Sequence, residues 1–166
     1  MPFVRIDAIR ADEKRLEAVG RAVHDALVEA VGIPQDDLFQ VLTSHDGSQR
    51  VLRYGTFPAM DRDDDIVFVA ITMRSGRTAE QKQTLYRRIA ELAQEYAGTE
   101  PRNVLVTITE NEPIDWSFGD GVAQYAEAAP TDGPCREGPS DQRRGVTSVG
   151  HGRLRARTTA SCMVIL

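Results

Sequence analysis

Ile66-Val67-Phe68-Val69-Ala70-Ile71-Thr72-Met73 is an unbroken run in which Thr72 is the only polar residue. A short, β-branched run of this kind reads as a strand near the middle of a sheet, covered on both faces. Working outward toward the C-terminus, Arg74-Ser75-Gly76-Arg77 breaks the pattern. Thr78 then starts a helix, and Gln81 three residues later completes a capping box. Leu85, Ile89, Leu92 and Tyr96 recur at helical spacing and make the inner stripe. Gly98 stops the helix, Pro101 prevents its continuation, and Val104-Leu105-Val106-Thr107-Ile108-Thr109 is the next strand.

The same order stands earlier in the chain. Phe3-Val4-Arg5-Ile6-Asp7-Ala8 alternates apolar and polar, as a half-buried strand does. Residues 12–31 carry an apolar stripe of Leu16, Val19, Val23, Leu27 and Ala30. Gly32 and Pro34 end that helix, and residues 38–44 form a strand. Strand, helix, Gly-x-Pro or its near equivalent, and strand therefore occur twice, about 65 residues apart. This doubling predicts an α+β fold: two consecutive β-α-β units over about 2–45 and 65–110, giving a four-stranded mixed sheet with two helices on one face and right-handed crossovers. The other sheet face needs a cover, and copies of the same chain are the simplest one. Between the halves, residues 50–54 read as a weak strand or hairpin, and Asp61-Arg62-Asp63-Asp64-Asp65 as a solvated acidic loop without EF-hand spacing.

Residues 131–166 differ in character. They are rich in Gly, Pro, Ser, Thr and Arg, lack periodicity, and read as a disordered tail after a 2–130 domain. The whole chain of 166 residues carries a formal charge of −5. The tail holds six arginines against three acids, so the body that precedes it carries −8, which argues against general polyanion binding. Both cysteines, Cys135 and Cys162, lie in the tail without metal-ligand spacing or a disulfide framework. No apolar run approaches the roughly 20 residues of a membrane span, and the polar N-terminus does not resemble a signal peptide. A cytoplasmic protein with no membrane association is the expectation.

Met1-Pro2 introduces the chemistry. A small residue at position 2 normally permits removal of the initiator methionine, leaving Pro2 with a free secondary amine at the start of the first strand. Such an amine ordinarily titrates at about 8 and can serve as base, acid or nucleophile. Many chains beginning Met-Pro make no use of it. Arg74 and Arg77, flanking a turn before a helix cap, can hold a carboxylate bidentately; surface arginines on a turn are the ordinary alternative. These arginines favour a neutral amine at Pro2, whereas Asp37 favours a charged one. Asp37 can also activate water, with its neighbour Asp36 as a rival. His24, at the edge of the first stripe, reads as a packed core-edge residue. Trp116 and Phe118, in the glycine-containing loop after the last strand, are candidates for an apolar pocket wall. A wall that desolvates a carboxylate favours loss of CO₂.

Pro2, Gly32-Ile33-Pro34 leading to Asp37 and Phe39-Gln40, Arg77-Thr78-x-x-Gln81-Lys82, Glu110-Asn111, and Asp115-Trp116-Ser117-Phe118-Gly119-x-Gly121 together resemble the tautomerase superfamily, and within it the malonate semialdehyde decarboxylase group. The resemblance covers about residues 2–127. It implies a homotrimeric enzyme without cofactor or metal, acting on a small carboxylic acid. Pro2 matches the catalytic proline, Asp37 the water-activating aspartate, Arg77 the second carboxylate-binding arginine, and Trp116 and Phe118 the aromatic wall. The group's first arginine falls at Ser75 here. Arg74 stands one position earlier, a spacing similar to that of the cis-3-chloroacrylic acid dehalogenase group. The resemblance thus implies decarboxylation of a 3-oxo acid with possible hydratase activity, or alternatively a promiscuous tautomerase, hydratase or dehalogenase-like activity. The β-α-β-β-α-β order also occurs in the RNA-recognition motif. Phe68 alone on the candidate strand, together with the acidic body, argues against nucleic-acid binding.

Overall fold

The computed structural model describes residues 1–47 and 52–127. The weak strand expected at 50–54 lies partly outside these residues, and Leu52–Tyr54 is not a strand. The boundary at 130 and the tail 131–166 lie wholly outside them.

The order is β1 (Pro2–Ile9), α1 (Glu13–Val31), β2 (Gln40–His45), β3 (Val67–Arg74), α2 (Ala79–Ala97), β4 (Val104–Asn111) and a short α3 (Gln124–Glu127). Single 3₁₀ turns, Pro101–Asn103 and Pro113–Asp115, flank β4. The sheet order is β2-β1-β3-β4. β1 runs parallel to β2, antiparallel to β3, and β3 runs parallel to β4. The mixed sheet and its two long helices are therefore those the doubled pattern predicts.

Local chemistry accounts for the helix ends. Asp12 caps α1 by accepting the Arg15 amide at 2.8 Å, and Gly32 closes it at φ 71°, a conformation that favours glycine. At α2 the capping box is complete: Thr78 Oγ1 accepts the Gln81 amide at 3.2 Å, and Gln81 Oε1 accepts the Thr78 amide at 3.0 Å. Gly20 serves a different purpose. A Cβ there would stand 2.8 Å from Gln40 Oε1 and 3.3 Å from Leu42, so its bare backbone lets α1 lie close on β2.

The core lies between the helices and one face of the sheet. Val4, Ile6 and Ala8 of β1 and Val67, Val69, Ile71 and Met73 of β3 meet Val19, Val23 and Leu27 of α1 and Leu85, Ile89 and Leu92 of α2. Across the helix pair, Tyr96 donates to Asp25 at 3.2 Å and Arg88 binds Glu29 at 2.7 Å. Leu85 has no exposed surface. Leu85→Ala removes its methyl groups and leaves a cavity, so unfolding free energy falls by about 2–5 kcal/mol, measured by denaturant titration; a loss within about 0.5 kcal/mol would contradict this packing.

One expectation needs correction. β3 is central, yet in the single chain it is covered on one face only: Val67, Val69, Ile71 and Met73 are buried, whereas Phe68 and Thr72 are half-buried and Ala70 and Arg74 exposed. Its apolar run reflects β-branched strand-formers on both sides rather than two helical layers. The open face also holds Phe3 and Val41, each 41% exposed, and a charged cluster in which Asp7 bonds Arg5 at 3.0 Å and His45 at 2.8 Å.

The acidic loop is neutralised by arginines from elsewhere. Asp63 pairs with Arg102, Asp64 with Arg10, and Asp65 with Arg15. Asp63 also accepts from buried Asn103 at 2.7 Å, which ties the loop to the turn before β4.

Candidate active site

Strand register assembles the site. The antiparallel β1–β3 ladder sets Pro2 opposite Met73, one residue before Arg74. The parallel β1–β2 ladder sets Val4 opposite Gln40, so the chain leading into β2 passes the N-terminus at Asp37. The β3–β4 ladder sets Arg74 opposite Asn111. Asp37, Pro2, Arg74 and Asn111 thus line one end of the sheet in strand order. Proline is suited to the first residue of a strand, because it has no amide to donate to the ladder.

Asp37 is distinguished from Asp36 by the fold. Asp36 is exposed. The Asp37 side chain retains 11% exposure, and its Oδ2 lies 3.5 Å from the Met1 amine. Its Oδ1 is buried without a hydrogen-bond partner. A buried carboxylate oxygen that accepts no bond is costly, and it is available to a water or substrate proton. The turn before it is braced by His24, whose Nε2 lies 3.0 Å from the Gln35 carbonyl. That bond gives His24 a structural task between α1 and the turn.

On the other side of Pro2, the segment Arg74–Thr78 connects β3 to α2. Gly76 has φ 110°, a region that favours glycine, and turns the chain sharply between the two arginines. The Arg77 guanidinium donates to the Arg74 carbonyl at 3.0 Å. The Arg74 guanidinium lies over the Tyr125 ring, 5.1 Å from its centroid. Ser75 takes no part in this arrangement. Its amide donates to the Asn111 carbonyl at 2.9 Å and its hydroxyl to Glu112 at 3.2 Å.

The aromatic loop is ordered by its own polar bonds. The Trp116 indole donates to Asn111 Oδ1 at 2.7 Å. Gln124 accepts the Phe118 amide and donates to the Gly119 carbonyl, each at 3.0 Å. Trp116 stacks on Phe118 at 5.7 Å, and Phe118 meets Tyr125 edge-on at 4.9 Å. A row of three aromatic rings therefore ends on the Arg74 guanidinium. Sequence reasoning missed Tyr125, which sits in a one-turn helix without periodicity; only the folded loop brings it under Arg74.

This end of the sheet thus gathers the N-terminus, a buried carboxylate, two guanidinium groups and three aromatic rings. A cavity of about 770 Å³ lies around Arg10, Tyr54 and Asp64, at the opposite end of β1.

Comparison with known proteins gives the family. Two family models, each described as tautomerase enzyme, match residues 37–119 and 2–57. Probable tautomerase YusQ of Bacillus subtilis (strain 168) is 34% identical over 129 residues, which span 76% of this chain and all of that protein. The FG41 malonate semialdehyde decarboxylase inhibited by 3-bromopropiolate is 38% identical, with a TM-score of 0.69 over 75% of this chain and 95% of that one. A second malonate semialdehyde decarboxylase structure is 28% identical, with a TM-score of 0.68 over 75% and 96%. The chain belongs to the tautomerase family.

Proposed function

We propose that this tautomerase-family enzyme is a malonate semialdehyde decarboxylase-like lyase that uses Pro2, freed by removal of Met1, on a small 3-oxo acid. The observation that carries the reading is the gathering of the N-terminus, the partly unpartnered Asp37 carboxylate, Arg74, Arg77 and the aromatic row at one sheet end. Identity to two malonate semialdehyde decarboxylases supports the choice of reaction.

In this reading Arg77 and Arg74 bind the substrate carboxylate, while Trp116 and Phe118 exclude water from it. Cationic Pro2 hydrogen-bonds the 3-carbonyl oxygen. The carbon–carboxylate bond breaks, its electron pair moves through the α-carbon to that oxygen, and CO₂ leaves. Protonation of the resulting enolate at the α-carbon gives the aldehyde. Arg74 takes the place of an arginine at position 75: the aromatic row holds its guanidinium, and the bonds of Ser75 to Asn111 and Glu112 direct that residue elsewhere. With an acetylenic or halogenated acid the same groups hydrate the substrate. Asp37 takes a proton from water, water oxygen adds to the β-carbon, and Pro2 protonates the α-carbon.

A plain tautomerase, in which neutral Pro2 moves a proton between carbons, is the second reading, favoured by the similarity to a probable tautomerase. The open sheet face with exposed Phe3 and Val41 supports assembly as a homotrimer that buries it. Residues 2–130 form the catalytic domain in this reading.

Acetaldehyde release from malonate semialdehyde, followed with protein whose N-terminal residue is verified as Pro2, tests the proposal. Turnover is expected with processed protein and not with protein retaining Met1. Rapid ketonisation of enol acids with no acetaldehyde formed would select the tautomerase reading.

A further inference from the structure

We infer that Asn111 is a positioning residue whose side chain fixes Trp116 in the aromatic wall; the inference rests on the decarboxylase reading above, in which that wall desolvates the substrate carboxylate. Asn111 is the last residue of β4, and the parallel ladder pairs it with Arg74, the last residue of β3. Paired residues of neighbouring strands share a sheet face and lie about 5 Å apart. The buried face of β3 carries Val69, Ile71 and Met73, so Arg74 and Asn111 stand side by side on the other face.

A chain of contacts leaves this pair and returns to it. Asn111 Oδ1 accepts the Trp116 indole N–H at 2.7 Å. Trp116 stacks on Phe118, Phe118 meets Tyr125 edge-on, and the Arg74 guanidinium lies over the Tyr125 ring. The circuit closes across the β3–β4 ladder. Among the described residues, the indole bond is the one hydrogen bond that ties a ring of this row to the sheet; Gln124 and Asp115 bond within the loop itself.

Two demands explain the residue type. An indole N–H donates and cannot accept, so its partner must present an acceptor oxygen; without one the half-buried donor is left unsatisfied. A carboxylate would meet that demand, but beside Arg74 it would also take the guanidinium that binds substrate. Asparagine supplies the oxygen without the charge. Ring stacking alone lets Trp116 slide over Phe118, whereas the bond sets its tilt and its distance from the strand end. A displaced wall admits water to the carboxylate and slows loss of CO₂, while the arginines still bind the acid.

The test uses the sole tryptophan of the chain as its own reporter. Trp116 emission, steady-state turnover of malonate semialdehyde and calorimetric binding of malonate are compared among wild type, Asn111→Ala, Asn111→Asp, Trp116→Phe and the double variant Asn111→Ala/Trp116→Phe. Asn111→Ala should shift the emission to the red, as the freed indole turns to water, and lower kcat about 10-fold while the malonate Kd stays within about 2-fold. Asn111→Asp keeps the acceptor, so its emission and kcat should stay close to wild type. Its KM and malonate Kd should rise about 10-fold, because the new carboxylate competes for Arg74. In the Trp116→Phe background, Asn111→Ala should lower kcat no further. Unshifted emission or an unchanged kcat in Asn111→Ala would overturn the inference, as would an equal fall in kcat with and without Trp116. So would an Asn111→Asp variant as impaired in kcat as Asn111→Ala. None of these results bears on the decarboxylase reading. Wild type that binds malonate but releases no acetaldehyde would refute that reading alone; the emission and malonate Kd of the two Asn111 variants then decide whether Asn111 places Trp116. Wild type that neither binds malonate nor turns over would overturn both. If Asn111→Ala does not fold, Asn111→Leu, similar in volume and without an acceptor, takes its place with the same expected results.

Discussion

Pro2→Ala lowers kcat/KM on an acid substrate by about 10²–10⁴-fold, the usual range for loss of a positioned general acid or base. The replacement keeps a small residue at position 2, so Met1 removal is preserved and a primary amine replaces the secondary one. It is also mild structurally. Pro2 opens β1 and contributes no amide to the β1–β3 ladder, and its neighbours in the core, Val4 and Ile6, are untouched. Thermal stability should change little. The loss is therefore chemical: alanine gives up the rigid pyrrolidine ring and the secondary amine it carries. Measuring both kcat/KM and the thermal midpoint separates this from unfolding. Full activity in the folded variant would remove the N-terminal amine from the mechanism.

Asp37→Asn should separate the two reactions proposed for this site. The side chain is nearly isosteric and 11% exposed, so packing is preserved. An amide cannot accept a proton from water, and hydration of an acetylenic acid is expected to fall by about 10²–10⁴-fold. Decarboxylation involves no attacking water and should fall far less. The partner-free buried Oδ1 makes the contrast sharp, because no protein donor competes for that oxygen. Equal losses in both reactions would mean that Asp37 serves the amine rather than water, and unchanged hydration would remove it from catalysis.

Both predictions depend on residues that were legible before the fold, but in different ways. Pro2 announced itself by position. Asp37 did not: Asp36 stood beside it, and only the β1–β2 register, which draws the approach to β2 alongside the N-terminus, distinguishes the two. Arg74 was legible as a charge near a helix cap. What holds its guanidinium was not, because the partner, Tyr125, stands beyond α2 and β4 in a single turn of helix. Glu110 and Lys82 were both visible in the pattern shared with the family, yet their ion pair joins a helix to the strand that follows it.

The sequence by itself determined the four strands, the two long helices and the helix ends. Periodicities of two and of three to four select strand or helix locally, and Thr78–Gln81, Gly32 and Gly98 place the caps within a turn. Burial periodicity also marked the core, since Leu85, Ile89 and Leu92 had to face an apolar layer. The tertiary structure alone decided which strand ends adjoin. Antiparallel pairing of β1 with β3, and parallel pairing at both sheet edges, bring an N-terminus, a loop acid, a turn with two arginines and an aromatic loop to one end. Each of those contacts joins residues far apart in the chain, where local propensity carries no information and register depends on the packing of the whole sheet.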